Sequence, residues 1–444
     1  MLLRACLTFG LLVALPAWSQ VAPAATGGTE IPDDYRMQTP PMVRCQAFPT
    51  MTLSETKSNY LDGRMAFQTA YNDNLIPNNG DHPIGDVGYT ISPAIELDTL
   101  NSRLHQLWAY RPGFTIYQST SARNDFDQNA SLLLEYHVSS HITVCGQDAF
   151  QKISNVFNQP YSALDGSVSG SPPSSTADVI APFANRLTNM ANAELTYQFS
   201  RVGMIGGGGT EGLMNYLNQA QSNGLYDSNS LGGSAFYNRR LSATQYLGVN
   251  YQYLRMQGNP ANGQLEIQTH SVYGFYTAFL AQRLSISLAA GPQHFDLVET
   301  TLPAYSSWTP TVMGSLGWQG EHTSLAASYS RSVTGAGGLI GAFVRNNAGT
   351  SAHWQFARKW DVQAAAAYMI FKNASAQSLS SEQGGHSISG TASVDYSFNE
   401  RFTARAGYQR LHQSYNSIAA IASDPDSDRE FVSISYQFKR PLGR

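Results

Sequence analysis

The chain has 444 residues and a formal net charge of −4, with 13% charged, 42% hydrophobic and 11% aromatic residues. The charged share is about half that of an ordinary soluble domain, a composition that suits sheets with one apolar and one polar face. No basic stripe is present to neutralise phosphates, which excludes nucleic acid as a partner.

Residues 1–19 have the layout of a signal peptide. Arg4 is the positive n-region, Leu7 to Pro16 the apolar stretch, and Ala17-Trp18-Ser19 a small-x-small cleavage site. Cys6 lies upstream of that site, so it cannot become the lipid-bearing first residue of a mature lipoprotein. Residues 20–59, rich in Pro, Thr and Ala, show little periodicity and are expected to form an N-terminal arm in the periplasm. No run of 18 or more apolar residues follows, which excludes ordinary spanning helices.

From residue 60 to 444 one pattern repeats. Two alternating segments of about ten residues flank a short polar turn, and a longer polar loop follows. Strands are expected at about 61–72, 87–98, 104–118, 130–137, 140–148, 189–199, 202–209, 230–238, 241–256, 264–280, 284–297, 307–319, 322–333, 340–357, 360–372, 385–398, 402–415 and 429–439. That makes about eighteen, or sixteen if the first pair is misassigned, and an even number places both chain ends in the periplasm.

The fold expected is all-β, a transmembrane antiparallel up-and-down β-barrel in the outer membrane of a Gram-negative-type bacterium. The clearest strand pair lies near the C-terminus. Ile388, Ala392, Val394, Tyr396 and Phe398 alternate with Ser387, Ser389, Thr391, Ser393, Asp395 and Ser397. The turn Asn399-Glu400-Arg401 then leads into Phe402, Ala404, Ala406 and Tyr408, interleaved with Thr403, Arg405 and Gln409.

Aromatics bracket the short turns, as in Phe356…Trp360 and Phe398…Phe402, and Trp318 precedes Gln319; strands leaving hydrocarbon for headgroups show this. Short turns are expected to alternate strictly with long loops. The last strand aligns Val432, Ile434, Tyr436 and Phe438 on one face, like the aromatic-ended strand that outer-membrane barrels present to the barrel-assembly machinery. Lys439 to Arg444 extend beyond it.

By parity, Asn250, Gln252, Ser315, Ser328, Gln355, Asp361, Gln363, Asp395, Arg405 and Gln409 face inward and are expected to line a pore. A wall of amides, hydroxyls and charges of both signs favours water and neutral solutes. The longest loop, about 149–188, is the third external one. It is read either as an inward-folded constriction or as a surface flap, its Ser/Gly/Pro composition ordering weakly.

Other motifs carry less chemistry. Asp424-Pro-Asp-Ser-Asp428 lacks the glycine and distal glutamate of a calcium loop. Gly206 to Gly209 lacks the Lys-Ser/Thr pair of a phosphate loop and is expected at the outer rim. His270, His294 and His353 lie on strands among serines, with no local catalytic signature. Neither catalytic residues nor metal ligands nor a cofactor are expected. Cys45 and Cys145 remain after signal removal, and whether they are bonded stays open.

Tyr71-Asn-Asp-Asn74, the strand Asp86 to Pro93, Leu104 to Tyr110 and Pro112 to Tyr117 together resemble the β-barrel porin-2 group of outer-membrane proteins. The resemblance covers about residues 60–148 and beyond them becomes general barrel character. It implies a pore or an export-associated barrel, sometimes linked to exopolysaccharide systems, and brings no catalytic residues.

The expected function is a passive channel for small hydrophilic solutes. The alternatives are a barrel accessory to exopolysaccharide export or surface anchoring, and a surface-adhesion barrel. Partners expected are outer-membrane lipid and small polar solutes or polysaccharide, with a homo-oligomer left open.

Overall fold

In the computed structural model the described residues are 59–75, 83–154, 157, 185–217, 225–258, 263–281, 283–300, 302–335, 341–374, 384–416 and 426–442. They form eighteen strands: β1 (Tyr60–Asn72), β2 (Asp86–Leu100), β3 (Leu104–Tyr117), β4 (Asp125–His137), β5 (Ile142–Ile153), β6 (Arg186–Tyr197), β7 (Gly203–Tyr216), β8 (Ser228–Ser242), β9 (Gln245–Gly258), β10 (Leu265–Ala281), β11 (Leu284–Glu299), β12 (Leu302–Gln319), β13 (Thr323–Gly335), β14 (Ala342–Ala357), β15 (Trp360–Asn373), β16 (Gly384–Ser397), β17 (Phe402–Asn416) and β18 (Asp426–Pro441).

Each strand pairs antiparallel with its neighbours in sequence, and β1 pairs with β18 from Tyr60↔Pro441 to Asn72↔Arg429. The ring is therefore closed, which removes exposed sheet edges. Eighteen strands form, not sixteen. The expected strict alternation of turn lengths has one exception. β11 and β12 are joined at the long-loop end by residues 300–301 alone, because these two strands, 16 and 18 residues long, continue pairing further than the others.

Period-two alternation sets the two faces. Outward, exposed apolar side chains recur on every strand except β5, among them Phe67, Ile91, Phe114, Leu195, Val249, Leu288, Leu325, Ile388 and Val432. Aromatic rings gather at the short-turn end. Phe356 and Trp360 lie 6.1 Å apart, Trp360 and Tyr396 4.7 Å, and Phe402 and Tyr436 4.9 Å. In the turns between them, Arg283 donates to Glu321 at 2.8 Å; that bond, with the charges of Arg283 and His322, holds the Glu321 carboxyl below its usual range.

One stretch of the outward face is polar. Asp148 and Asn189 have outward parity on β5 and β6, with Asn189 donating to Asp148 at 3.0 Å. Glu211 is exposed on the same side of β7. Between them are small residues, Ala191, Ala193 and Gly209.

Inward, rings lie flat on glycines of adjacent strands. A Cβ at Gly206 would fall 2.4 Å from Phe236 Cζ, one at Gly248 2.3 Å from Phe275 Cζ, and one at Gly407 2.5 Å from Phe431 Cζ. Gly206 to Gly209 therefore do not mark the outer rim, as expected from sequence. They sit inside β7, towards its short-turn end, and pair with β6 and β8. Here a missing side chain makes room for a neighbour's ring.

Candidate functional site

The inner wall divides into two arcs. Over β7 to β12 it carries an apolar cluster, with Met204, Phe236, Tyr246, Tyr273, Phe275, Ala289 and Met313 packed together, set among buried hydroxyls and amides such as Asn238, Thr277 and Ser287. Over β15 through β18 and on to β3 it is charged. Arg405 and Asp395 form a bidentate ion pair, with Nε–Oδ1 2.5 Å and Nη2–Oδ2 2.6 Å, and Gln363 donates to the same carboxylate at 3.2 Å. Both charged side chains are under a tenth exposed. Further round the ring, Gln437 donates to Asp62 at 2.6 Å and Arg111 lies 3.9 Å from Glu96. Arg64 stands close enough to feel the charges of Asp62, Arg405 and Glu96.

The ten residues assigned inward by parity all occupy that face. Asn250, Gln252, Ser315, Gln363, Asp395, Arg405 and Gln409 are buried. Ser328 pairs with Ser315, and Gln355 with Asp361, whose carboxylate lies 3.2 Å from His353. The structure brings Gln363, Asp395 and Arg405 into one cluster. Asn250 belongs elsewhere, donating to the Tyr273 hydroxyl at 2.6 Å on the apolar arc. Sequence reasoning missed Asp62, Arg64, Glu96 and Arg111. Their alternation with apolar neighbours on β1 to β3 was a usable signal.

Two elements enter the lumen from the long-loop end. The first follows β5. Phe157 is buried against Leu411 of β17, and its carbonyl accepts a hydrogen bond from Arg429 of β18 at 2.5 Å. Both contacts face inward on strands beyond β1 to β4, so the chain crosses the interior at this point. The expected third loop thus turns inward at Phe157. Residues 149–153 and 186–188 belong to β5 and β6, and 155–156 and 158–184 lie outside the described residues.

The second element is the end of the β13–β14 hairpin. β12 pairs with β13 only from Val312↔Arg331 to Gln319↔Ser324, although it continues for ten residues above that rung. The cause is in the sequence. Pro310 faces Pro292 of β11; two prolines can meet only as a non-hydrogen-bonded pair, so the Pro310 nitrogen points at β13 with no hydrogen to donate.

Above this rung β13 tilts inward, where the amide of Gln293 replaces the lost ladder. It accepts from the Val333 N–H at 2.8 Å and donates to the Val333 carbonyl at 3.4 Å. Val333 and Ala342 then pack on Leu265, Ile267, Phe295 and Leu297. Gly335 comes close to Met256 here, and a Cβ there would fall 2.2 Å from Met256 Cε, so the methionine would have to shift.

Among the described residues no cluster could hold a metal ion. Asp424 and Pro425 lie outside those residues. Asp426 pairs with Arg410 and His412, and Asp428 with Arg410 and Tyr408, so these carboxylates already have partners.

The nearest approach to a catalytic arrangement is outside the barrel. Ser306 Oγ lies 2.9 Å from His294 Nε2, and His294 Nδ1 lies 3.5 Å from Asp296 Oδ2. The second distance is long for a hydrogen bond that would orient the ring, and Asp296 is 41% exposed. We expect Ser306 to remain unlabelled by a fluorophosphonate probe. Labelling lost in Ser306→Ala would overturn that expectation.

A closed antiparallel ring with an apolar, aromatic-edged exterior and a polar interior defines a membrane-type β-barrel. No family model matches the chain, and no curated protein matches it. Among solved structures it is similar to OccAB4 of Acinetobacter baumannii, with 10% identity, 86% of this chain and 99% of that chain covered, and a TM-score of 0.41. It is similar also to OpdK of Pseudomonas aeruginosa, solved with vanillate, at 8% identity, 86% and 99% coverage and a TM-score of 0.39. A third is the FrpB iron transporter of Neisseria meningitidis, at 10% identity, 86% and 82% coverage and a TM-score of 0.38.

Proposed function

We propose that this protein is an outer-membrane channel through which small hydrophilic solutes pass passively. One observation carries the proposal. The ring of eighteen strands has its apolar face outward and its charged and amide groups inward, and a cylinder this wide exceeds what its own side chains can fill. The passage then runs along the charged arc, past Gln363, Asp395, Arg405, Arg64 and Glu96. The apolar arc opposite stiffens the wall.

Lipid covers the outside, and the C-terminal β18, with Val432, Ile434, Tyr436 and Phe438 aligned outward, is the strand offered to the assembly machinery. Asp148 and Glu211 would be costly against hydrocarbon, so we place a contact between copies of the chain over β5 to β7. Membership of the porin-2 group rests on the resemblance of about residues 60–148, as does the second reading, a barrel accessory to exopolysaccharide export. Deleting residues 20–59 should abolish export under that second reading alone.

The channel is tested by swelling of liposomes that hold the purified protein, using neutral sugars of increasing size. Monosaccharides should enter and larger oligosaccharides should not. In Gln293→Ala the β13–β14 end loses both bonds to Val333, and di- and trisaccharides should enter faster than in the parent. Liposomes that swell in no sugar would remove the channel proposal. An unchanged size limit in Gln293→Ala would show that this element is not the constriction.

A further inference from the structure

The break between β12 and β13 leaves a fork in the barrel wall. Its apex is the rung Val312↔Arg331, and above it β12 continues with β11 as its one strand partner among the described residues. Backbone groups of alternate residues point to the same side of a strand. Those of Ser306 and Trp308 therefore point, like those of Pro310, to the side that β13 has left. Their N–H and carbonyl groups line one arm of the fork with no ladder to join, which a lipid-facing wall does not tolerate without another partner.

At the apex stands Arg331. It pairs in register with Val312 and Asn346 and shares the outward face with Leu325 and Tyr329, both exposed. Among the described residues its guanidinium makes one hydrogen bond, to Asn346 Oδ1 at 3.4 Å, and that oxygen also accepts from the Tyr329 hydroxyl at 3.1 Å. Arg331 Nε is buried without an acceptor. Two other outward arginines at this end have carboxylates beside them, Arg255 2.6 Å from Glu266 and Arg410 3.4 Å from Asp426 and from Asp428. Among the described residues Arg331 has none.

Depth shows what meets this fork. Trp308 and Trp318 lie ten residues apart on the outer face of β12, and Trp318 is at the short-turn end. On a strand tilted by about 40° that separation is roughly 25 Å along the barrel axis, the height of the apolar band. Trp308, 67% exposed, therefore marks the opposite interface. The open arm from Ser306 to Pro310 lies at headgroup level, and the Arg331 side chain is long enough to extend up the fork towards it.

We propose that the fork binds the headgroup of an anionic lipid, with Arg331 and the N–H groups of Ser306 and Trp308 holding its phosphate. A guanidinium and backbone N–H groups are strong donors to such an anion. Headgroup hydroxyls, which a glycerol headgroup supplies, satisfy the carbonyls of the same arm. Asp296 stands on the other flank of β12, 3.5 Å from His294, so the phosphate is seated on the β13 side. The site rests on the membrane reading of the exterior and not on conduction through the lumen.

The test uses the full-length mature protein in phosphatidylcholine vesicles, with Trp108, Trp318, Trp354 and Trp360 replaced by Phe so that Trp308 alone reports. A minority of the lipid carries brominated acyl chains, as either phosphatidylglycerol or phosphatidylcholine. A charge-assisted contact should enrich phosphatidylglycerol at the fork about tenfold over the bilayer, so it should quench Trp308 more strongly. The difference should vanish in Arg331→Gln and persist in Arg255→Gln. Equal quenching by the two lipids, or a preference that survives Arg331→Gln, would overturn the proposal. So would a preference abolished by inorganic phosphate at constant ionic strength, which would make this a site for a free anion. If neither lipid quenches Trp308 while both quench the parent, a second copy of the chain covers the edge and the lipid site fails. If the parent too is unquenched, the membrane reading fails and takes the site with it.

Discussion

Gly291→Ala is expected to be among the most damaging single substitutions in the wall. A Cβ at this position would fall 1.9 Å from the carbonyl oxygen of Val272 and 2.6 Å from the Cα of Tyr273. Both are backbone atoms, so no rotamer change relieves the clash. The approach is close because Pro292 has no N–H for β10, and pairing is interrupted between Ser271↔Gln293 and Gly274↔Ala290. Overpacking against side chains costs about 1–3 kcal/mol, and a backbone obstacle should place this variant at or above the upper figure. Gly390→Ala is the control, because a Cβ there meets nothing nearer than 3.9 Å. Thermal unfolding followed by gel mobility should show a large drop for Gly291→Ala and almost none for Gly390→Ala. Equal stability of the two would contradict the close-approach argument.

Arg405→Leu and Asp395→Leu should each destabilise the barrel strongly. Each leaves a buried charge without its bidentate partner, and breaking such a pair costs about 3–5 kcal/mol. The double variant should lose less than either single one, since no orphaned charge remains. Gln363→Ala, which removes one bond to Asp395, should cost only about 1 kcal/mol. Guanidinium unfolding of the four variants in lipid vesicles gives the coupling energy directly. Additive losses would mean that solvent screens the pair.

Where one face of a strand is consistently polar, the sequence carries the structure at short range. The serines and threonine at 387, 389, 391, 393 and 397, facing Ile388, Ala392, Val394 and Tyr396, announce β16 and its orientation. Asp395 and Arg405 could be assigned inward from parity alone. That they meet could not, because the register Asp395↔Arg405 depends on how tightly the turn at 398–401 closes.

On the apolar arc parity still places Asn250, Gln252 and Ser315 inward, but nothing local shows that the rings of Phe236 and Phe275 gather beside them. Glycine was misread for a related reason. At Gly206 the missing side chain serves a ring on the neighbouring strand, and nothing local reveals that. The break above Val312↔Arg331 left a visible trace in Pro310, but its repair by Gln293 joins residues 40 positions apart and appears only in three dimensions.

Five tryptophans follow residue 20, namely Trp108, Trp308, Trp318, Trp354 and Trp360, and all are exposed on the outer face. Their fluorescence, measured in vesicles of lipids brominated on the acyl chains, reports whether that face meets hydrocarbon. The account predicts strong quenching by the brominated lipids and little by aqueous iodide. Quenching by iodide with none by the lipids would mean that water, not membrane, surrounds this barrel.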